Sequence, residues 1–150
     1  MLRRVSGADR AAAIGVAIGV IASFIPWYSY NAVSAHVTVN GFRASVLGDL
    51  FFLAVTATGV LLLMRAGVID DVVNAHLDER QALTVLAAVA VGAVLLQLIV
   101  DAMGGGRSIA FGFVLAVLAA GLLGAAAWLQ RPRPEARLTV RQMLEEDRLP

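Results

Sequence analysis

Long uncharged apolar runs alternate with short polar stretches along this chain. The first run, residues 11–25, reads AAAIGVAIGVIASFI and has no strongly polar side chain except Ser23. Inside hydrocarbon every backbone N–H and C=O has to be paired within its own segment, so such a run predicts a helix. A span needs roughly 20 residues, and residues 8–27 supply them. Pro26 lacks an N–H and disfavours helix at Ile25, which predicts an end or a kink there. Arg3, Arg4 and Arg10 flank one side of the run, while Trp27, Tyr28 and Tyr30 flank the other, where amphipathic rings favour the headgroup layer. Three further runs predict helices over about 47–66, 82–101 and 109–129, after a first helix over about 10–28. The fold class expected is an all-α membrane protein: a four-helix transmembrane bundle with a short extracytoplasmic β-hairpin between the first two helices.

The hairpin is expected from residues 31–46. Asn40 and Gly41 form a two-residue turn signal, because both tolerate φ > 0. Val39 opposite Phe42 then puts Val33, Ala35, Val37, Val39, Phe42, Ala44 and Val46 on one face. Ser34, His36, Thr38, Arg43 and Ser45 take the other. Alternation that stays in phase across a turn specifies register. The hairpin's apolar face should rest on the helix ends, since an isolated hairpin is marginal in water.

Small residues recur at four-residue spacing in the first helix (Ala11, Gly15, Gly19, Ser23) and in the fourth (Gly112, Ala116, Ala120, Gly124). Such strips let helix backbones approach closely. The helix-packing set expected is therefore Gly15, Gly19 and Ser23 against Gly112, Ala116, Ala120 and Gly124, closing the bundle between its first and last helices.

Between the second and third helices, residues 65–81 carry Asp70, Asp71, Asp78 and Glu79 against Arg65 and Arg80. Asp70 or Asp71 is placed to cap a short surface helix, and Arg65 to extend its stem toward the interface. Gly104, Gly105 and Gly106 permit a tight reversal before the fourth helix. They do not form a phosphate loop, because no Lys-Ser/Thr pair follows and no strand precedes. Residues 1–130 form the transmembrane domain and 131–150 a tail. In the tail, Thr139 and Gln142 match a capping box, with Leu138 and Met143 as its staple, for a short amphipathic helix.

Charge orients the chain. All 12 basic residues are Arg. With both termini cytoplasmic, Arg3, Arg4, Arg10, Arg65, Arg80, Arg131, Arg133, Arg137, Arg141 and Arg148 lie inside, leaving only Arg43 and Arg107 outside, as the positive-inside rule asks. A cleaved signal peptide is disfavoured, since no small-x-small site follows the first apolar core. The net charge of +1 points to neither nucleic acid nor an acidic substrate. Arg without Lys, with abundant Ala, Val and Gly, suggests a GC-rich bacterial genome.

Chemistry is sparse. With no Cys among 150 residues, thiol redox chemistry, thiolate metal sites and Cys nucleophiles are excluded. No acid lies within the first helix, unlike the small four-helix multidrug exporters, which depend on one there. His36 and His76 fall in loops on opposite sides, so neither bundle haem ligation nor a metal site shared between them is expected. No cofactor or metal is expected. One polar group remains, at the outer helix ends: Arg43, Asp49, Gln97, Asp101 and Arg107, with His36 nearby. Gln97 and Asp101, four apart, share a helix face. Asp49 and Asp101 would approach each other if the second and third helices are neighbours.

Ile25-Pro26-Trp27-Tyr28-Ser29 followed by Val37-Thr38-Val39-Asn40-Gly41-Phe42 resembles the end of helix one and the outer hairpin of small four-span membrane proteins of actinobacteria. The resemblance covers helix one through the start of helix two and brings no functional residues with it. A β element after helix one also resembles claudins in geometry, though the Trp and paired Cys of the claudin loop are absent. The function expected is that of a non-enzymatic accessory, scaffold or assembly protein. Its partners would be the lipid bilayer and another membrane protein or a second copy. The alternative is a subunit of a small transporter or channel with an outer polar vestibule. A lipid-modifying enzyme would need a convergent acid, base or metal set that one side of the membrane does not offer.

Overall fold

The computed structural model describes residues 6–32, 35–69, 79–104 and 108–131. In chain order the elements are α1 (Gly7–Phe24), β1 (Pro26–Ala32), β2 (Ala35–Asn40), α2 (Gly41–Ala44), α3 (Val46–Arg65), α4 (Glu79–Gly104), β3 (Ser108–Ile109) and α5 (Phe111–Leu129). The four long helices, α1, α3, α4 and α5, are each long and apolar enough to cross a membrane. They neighbour one another in the ring α1–α3–α4–α5. Gly15 meets Leu122 and Leu123 while Gly19 meets Ala119, so α1 and α5 run antiparallel.

Helix ends follow local chemistry. Ser6 caps α1 with a reciprocal box: its Oγ accepts from Asp9 N at 3.1 Å, and Asp9 Oδ2 accepts from Ser6 N at 3.2 Å. Two N–H groups without helical partners are thereby satisfied. α1 stops at Phe24 because Ile25, preceding Pro26, is extended with ψ 147°. The expected surface helix at Asp70 or Asp71, the reversal at Gly105 and Gly106, and the tail helix from Thr139 lie outside the described residues.

The hairpin between the first two long helices is built differently from the expectation. β1 pairs antiparallel with β2, with Tyr30 opposite Val37 and Tyr28 opposite Val39, and β3 adds to the other side of β1. The strands are residues 26–32 and 35–40, so Asn40 and Gly41 do not form the hairpin turn, and Val39 does not pair with Phe42. Asn40 instead caps α2, its Oδ1 accepting from Arg43 N at 3.2 Å. Asn followed by Gly serves either geometry, because a short side-chain acceptor suits an N-cap as well as a turn.

Trp27 and Tyr28, expected to flank the helix end as rings in the headgroup layer, are both buried within the protein. The register slips between Pro26 and Tyr28, leaving Trp27 as an extra residue in the strand. A bulge of this kind re-aims side chains, and here both consecutive aromatics turn inward. The Trp27 indole fits between Phe51 of α3 and Phe113 of α5, with ring centroids 5.7 and 5.5 Å away. Its N–H donates to Ala22 O at 2.8 Å, one of the carbonyls that the end of α1 leaves without a helical partner.

Two glycines allow backbone to meet backbone. A Cβ on Gly48 would lie 2.1 Å from Gly41 O, and one on Gly112 would lie 2.6 Å from both Ile25 O and Pro26 O. These contacts bring the starts of α3 and α5 against the segments leading to and from the sheet. The interior is otherwise Ala-rich: Ala12, Ala22, Ala54, Ala87, Ala90, Ala116, Ala119 and Ala126 are buried. The larger Ile14, Ile21, Leu53, Leu63, Leu95, Leu96, Ile99, Val114 and Leu118 are exposed on the outside of the helices.

Candidate functional site

Four polar residues at the sheet end of the bundle, Ser45, Gln97, Asp101 and Tyr28, form one hydrogen-bonded chain. Gln97 and Asp101 stand one turn apart on the inner face of α4. Gln97 is 1% exposed, and its Nε2 donates to Asp101 Oδ1 at 3.1 Å. Ser45 Oγ donates to Gln97 Oε1, and Tyr28 Oη donates to Asp101 Oδ2. Each Asp101 oxygen thus accepts from a different element: Oδ1 from α4 itself, Oδ2 from β1. Ser45 occupies the N-cap position of α3 yet makes no side-chain cap bond there; its hydroxyl reaches across to α4 instead.

Burying an amide without partners costs roughly 2–7 kcal/mol, depending on the reference state. Gln97 avoids this cost because its oxygen and its nitrogen are both engaged. Ser23 and Thr58, also buried, donate to Gly19 O at 2.9 Å and Ala54 O at 2.8 Å. Among the described residues no buried side-chain N or O lacks a partner.

Of the five polar residues singled out in the sequence, the structure joins Gln97 and Asp101. Asp49 is exposed and takes no part in the chain, and Arg43 is exposed on α2. Arg107 lies outside the described residues. Tyr28 and Ser45 complete the network and were missed. Tyr28 reads as an interfacial aromatic, and Ser45 as a residue on the hairpin's polar face. His36 is in β2, its Nδ1 2.8 Å from Asn31 Oδ1.

The small-residue strips divide their contacts. Gly15 lies against Ala119, Leu122 and Leu123 of α5, and Gly19 against Val55 of α3 and Ala119. Gly124 faces Val91 of α4, while Gly112 lies under Ile25 and Pro26. Over the twelve residues from Gly112 to Gly124 a four-residue stripe rotates by about 120° around a helix of 3.6 residues per turn. One strip therefore serves more than one neighbour. Ser23, Ala116 and Ala120 are buried.

A second polar group holds the opposite end. Arg65, the last residue of α3, has a side chain only 13% exposed. Its Nη1 lies 3.3 Å from Asp9 Oδ1 and its Nε 2.9 Å from Glu79 Oε2. Its Nη2 donates to Glu79 O at 3.0 Å and to Gln130 Oε1 at 3.5 Å. Gln130 Nε2 in turn reaches Asp9 Oδ1 at 3.5 Å. One guanidinium fork, whose donors are fixed in a plane, therefore connects α1, α3, the start of α4 and the residue after α5. The extension of Arg65 toward an interface expected from sequence did not foresee these partners, which four converging helix ends supply.

Chemically, both groups hold elements together. Ser45 donates to an amide oxygen rather than to a base, and both Asp101 oxygens are occupied by donors. No protein-family model, curated protein or solved structure matches this chain in comparisons of sequence and fold.

Proposed function

We propose that this chain is a non-enzymatic multi-pass membrane protein that acts as an accessory or scaffold, assembling with another membrane protein or with itself. One observation carries the reading: the outer faces of the long helices are apolar, while Ala and Gly fill much of the contact between helices, around a few buried large side chains such as Trp27, Phe51, Phe113 and Leu123. A helix of a water-soluble bundle exposes a polar face. Here the outside of every long helix carries Ile, Leu, Val or Phe, as lipid contact asks, while Ala and Gly fill the helix contacts, as in membrane packing. The polar interior side chains are bonded to one another or to backbone carbonyls of their own helices, which supports a structural role for them. Asp9 and Gln130 meet at one end, which suits both termini on a single side, and the Arg distribution favours the cytoplasm for that side.

The test is photo-crosslinking in native membranes from probes at Leu63, Leu95 and Leu118, three outward positions on three helices. The reading expects a discrete higher-mass product from at least one probe. Monomer from all three, in membranes where a known complex crosslinks, would overturn it.

A transporter or channel subunit is the second reading, favoured by the convergence of Gln97 and Asp101 inside the bundle's sheet end. It expects a solute flux in liposomes that Asp101→Asn lowers. Flux no greater than in empty liposomes, or equal in wild type and variant, would remove it.

A further inference from the structure

The sheet has two edges, and they differ. β3 on one side contributes only two residues, a length that offers little to a second chain. β2 on the other side contributes six, and among the described residues nothing pairs with its far edge. β2 packs chiefly against β1 and the α2 that follows it. Native sheets blunt such an edge with Pro, Lys, an inward charge or a bulge. The sequence AHVTVN has none of the first three. The one register slip lies at the Pro26 end of β1, leaving residues 35–39 regularly paired.

We propose that the free edge of β2 pairs with β2 of a second copy, antiparallel about a two-fold axis through Val37, joining two three-stranded sheets into one of six strands. This rests on the membrane-assembly reading and names its partner and surface. Three observations fit a second copy and fix the register. First, residues directly opposite across a pair share a sheet face, and a one-residue slip inverts the faces. Val37 and Val39 lie opposite Tyr30 and Tyr28, and Tyr28 faces the bundle, so Val37 and Val39 lie on the bundle side. Placing Val37 opposite its own copy puts Ala35 opposite Val39 and His36 opposite Thr38, so bundle-side residues meet bundle-side residues. Both bundles then hang from the same side of the joined sheet, as one membrane demands. A register shifted by one would put them on opposite sides.

Second, the pairing brings no like charges face to face, because His36 is the only ionisable side chain on the strand and its cross-strand neighbour is Thr38. Third, Val37 is the midpoint of the regular stretch 35–39, so this register uses all five residues while Asn40 keeps its cap on α2.

The natural absence of Cys permits a clean test in membranes. With Val37→Cys the two sulfurs face each other across the axis, at a Cα separation of about 4.5–5.5 Å that a disulfide can bridge. With Val39→Cys the copies are offset by four residues on the partner strand, about 14 Å at the rise of an extended chain. Mild oxidation is expected to convert Val37→Cys to a covalent dimer with at least about five times the yield of Val39→Cys. A second arm uses exposed positions that leave the bundle side untouched: differently tagged His36→Cys and Thr38→Cys chains, co-expressed, should form a mixed disulfide. Adding His36→Lys and Thr38→Lys to Val37→Cys sets like charges opposite each other and should cut the dimer yield several-fold. Equal yields at 37 and 39, or no mixed disulfide, would overturn the proposal. If helix photoprobes still capture a partner, the assembly reading survives that failure. If they also return monomer, both fall.

Discussion

The hydroxyl of Tyr28 donates to Oδ2 of Asp101, 73 residues further along the chain. This bond ties β1, the strand that follows α1, to the last turn of α4. Its effect is to hold the three-stranded sheet against α4, while Trp27 beside it is clasped between α3 and α5.

Removing the two ends of that bond should cost different amounts. Tyr28→Phe keeps the ring's place beside Phe113 and loses only the O–H. A hydrogen bond to a charged group contributes about 1.5–3 kcal/mol in water-soluble proteins, but cross-helix bonds in membranes average about 0.6. A loss of about 1 kcal/mol is expected. Asp101→Asn should cost more, because it touches both bonds at once: a carboxylate that accepts from Gln97 and Tyr28 becomes a neutral amide, and the Tyr28 hydroxyl has to turn to accept from its N–H. Reversible unfolding in mixed micelles checks the order: Tyr28→Phe less harmful than Asp101→Asn.

Arg65 offers a similar contrast at the other end. Glu79 is 58% exposed in its side chain, and exposed pairs contribute about 0–1 kcal/mol, so Glu79→Ala should change stability by no more than about 0.5 kcal/mol. Arg65→Ala strips Asp9, Gln130 and the Glu79 carbonyl of one shared donor, and a loss of about 2 kcal/mol is expected, in line with hydrogen bonds to charged groups. Arg65→Lys should recover only part of it, since an ammonium lacks the planar fork. The same unfolding assay, with Arg65→Lys falling between wild type and Arg65→Ala, is the check.

The glycines separate into two classes. Gly48→Ala and Gly112→Ala each drive a methyl into backbone carbonyls, which cannot rotate aside, and should cost at least the 1–3 kcal/mol or so typical of overpacking. Gly121 and Gly92 have nothing within 4 Å of a Cβ placed on them. There Ala should stabilise by up to about 1 kcal/mol through helix propensity. Expression level and melting temperature in detergent should rank Gly121→Ala above wild type and wild type above Gly112→Ala.

How much of this was legible in the sequence depends on how local each cause is. The four long helices followed from apolar length, and the stop of α1 from Pro26, both local properties. Gln97 and Asp101 were found because four-residue spacing on one helix is itself local. Asn40 and Gly41 misled, because the same two residues serve a hairpin turn and a helix cap, and only tertiary context chooses. The burial of Trp27 was not legible, since a bulge, invisible to alternation, turned it inward. The Arg65 group joins residues 56, 14 and 65 positions away, and the Tyr28 bond spans 73, so no local pattern announces either.

The central claim is that four helices cross a membrane with the sheet on one side and the Arg65 group on the other. Single cysteines at His36, Arg10 and Arg131, labelled in intact cells with a membrane-impermeant maleimide, test it most directly. The account predicts that His36→Cys reacts at once, while Arg10→Cys and Arg131→Cys react only after the membrane is opened. Reaction of all three from outside, or protection of His36→Cys together with the other two, would contradict it.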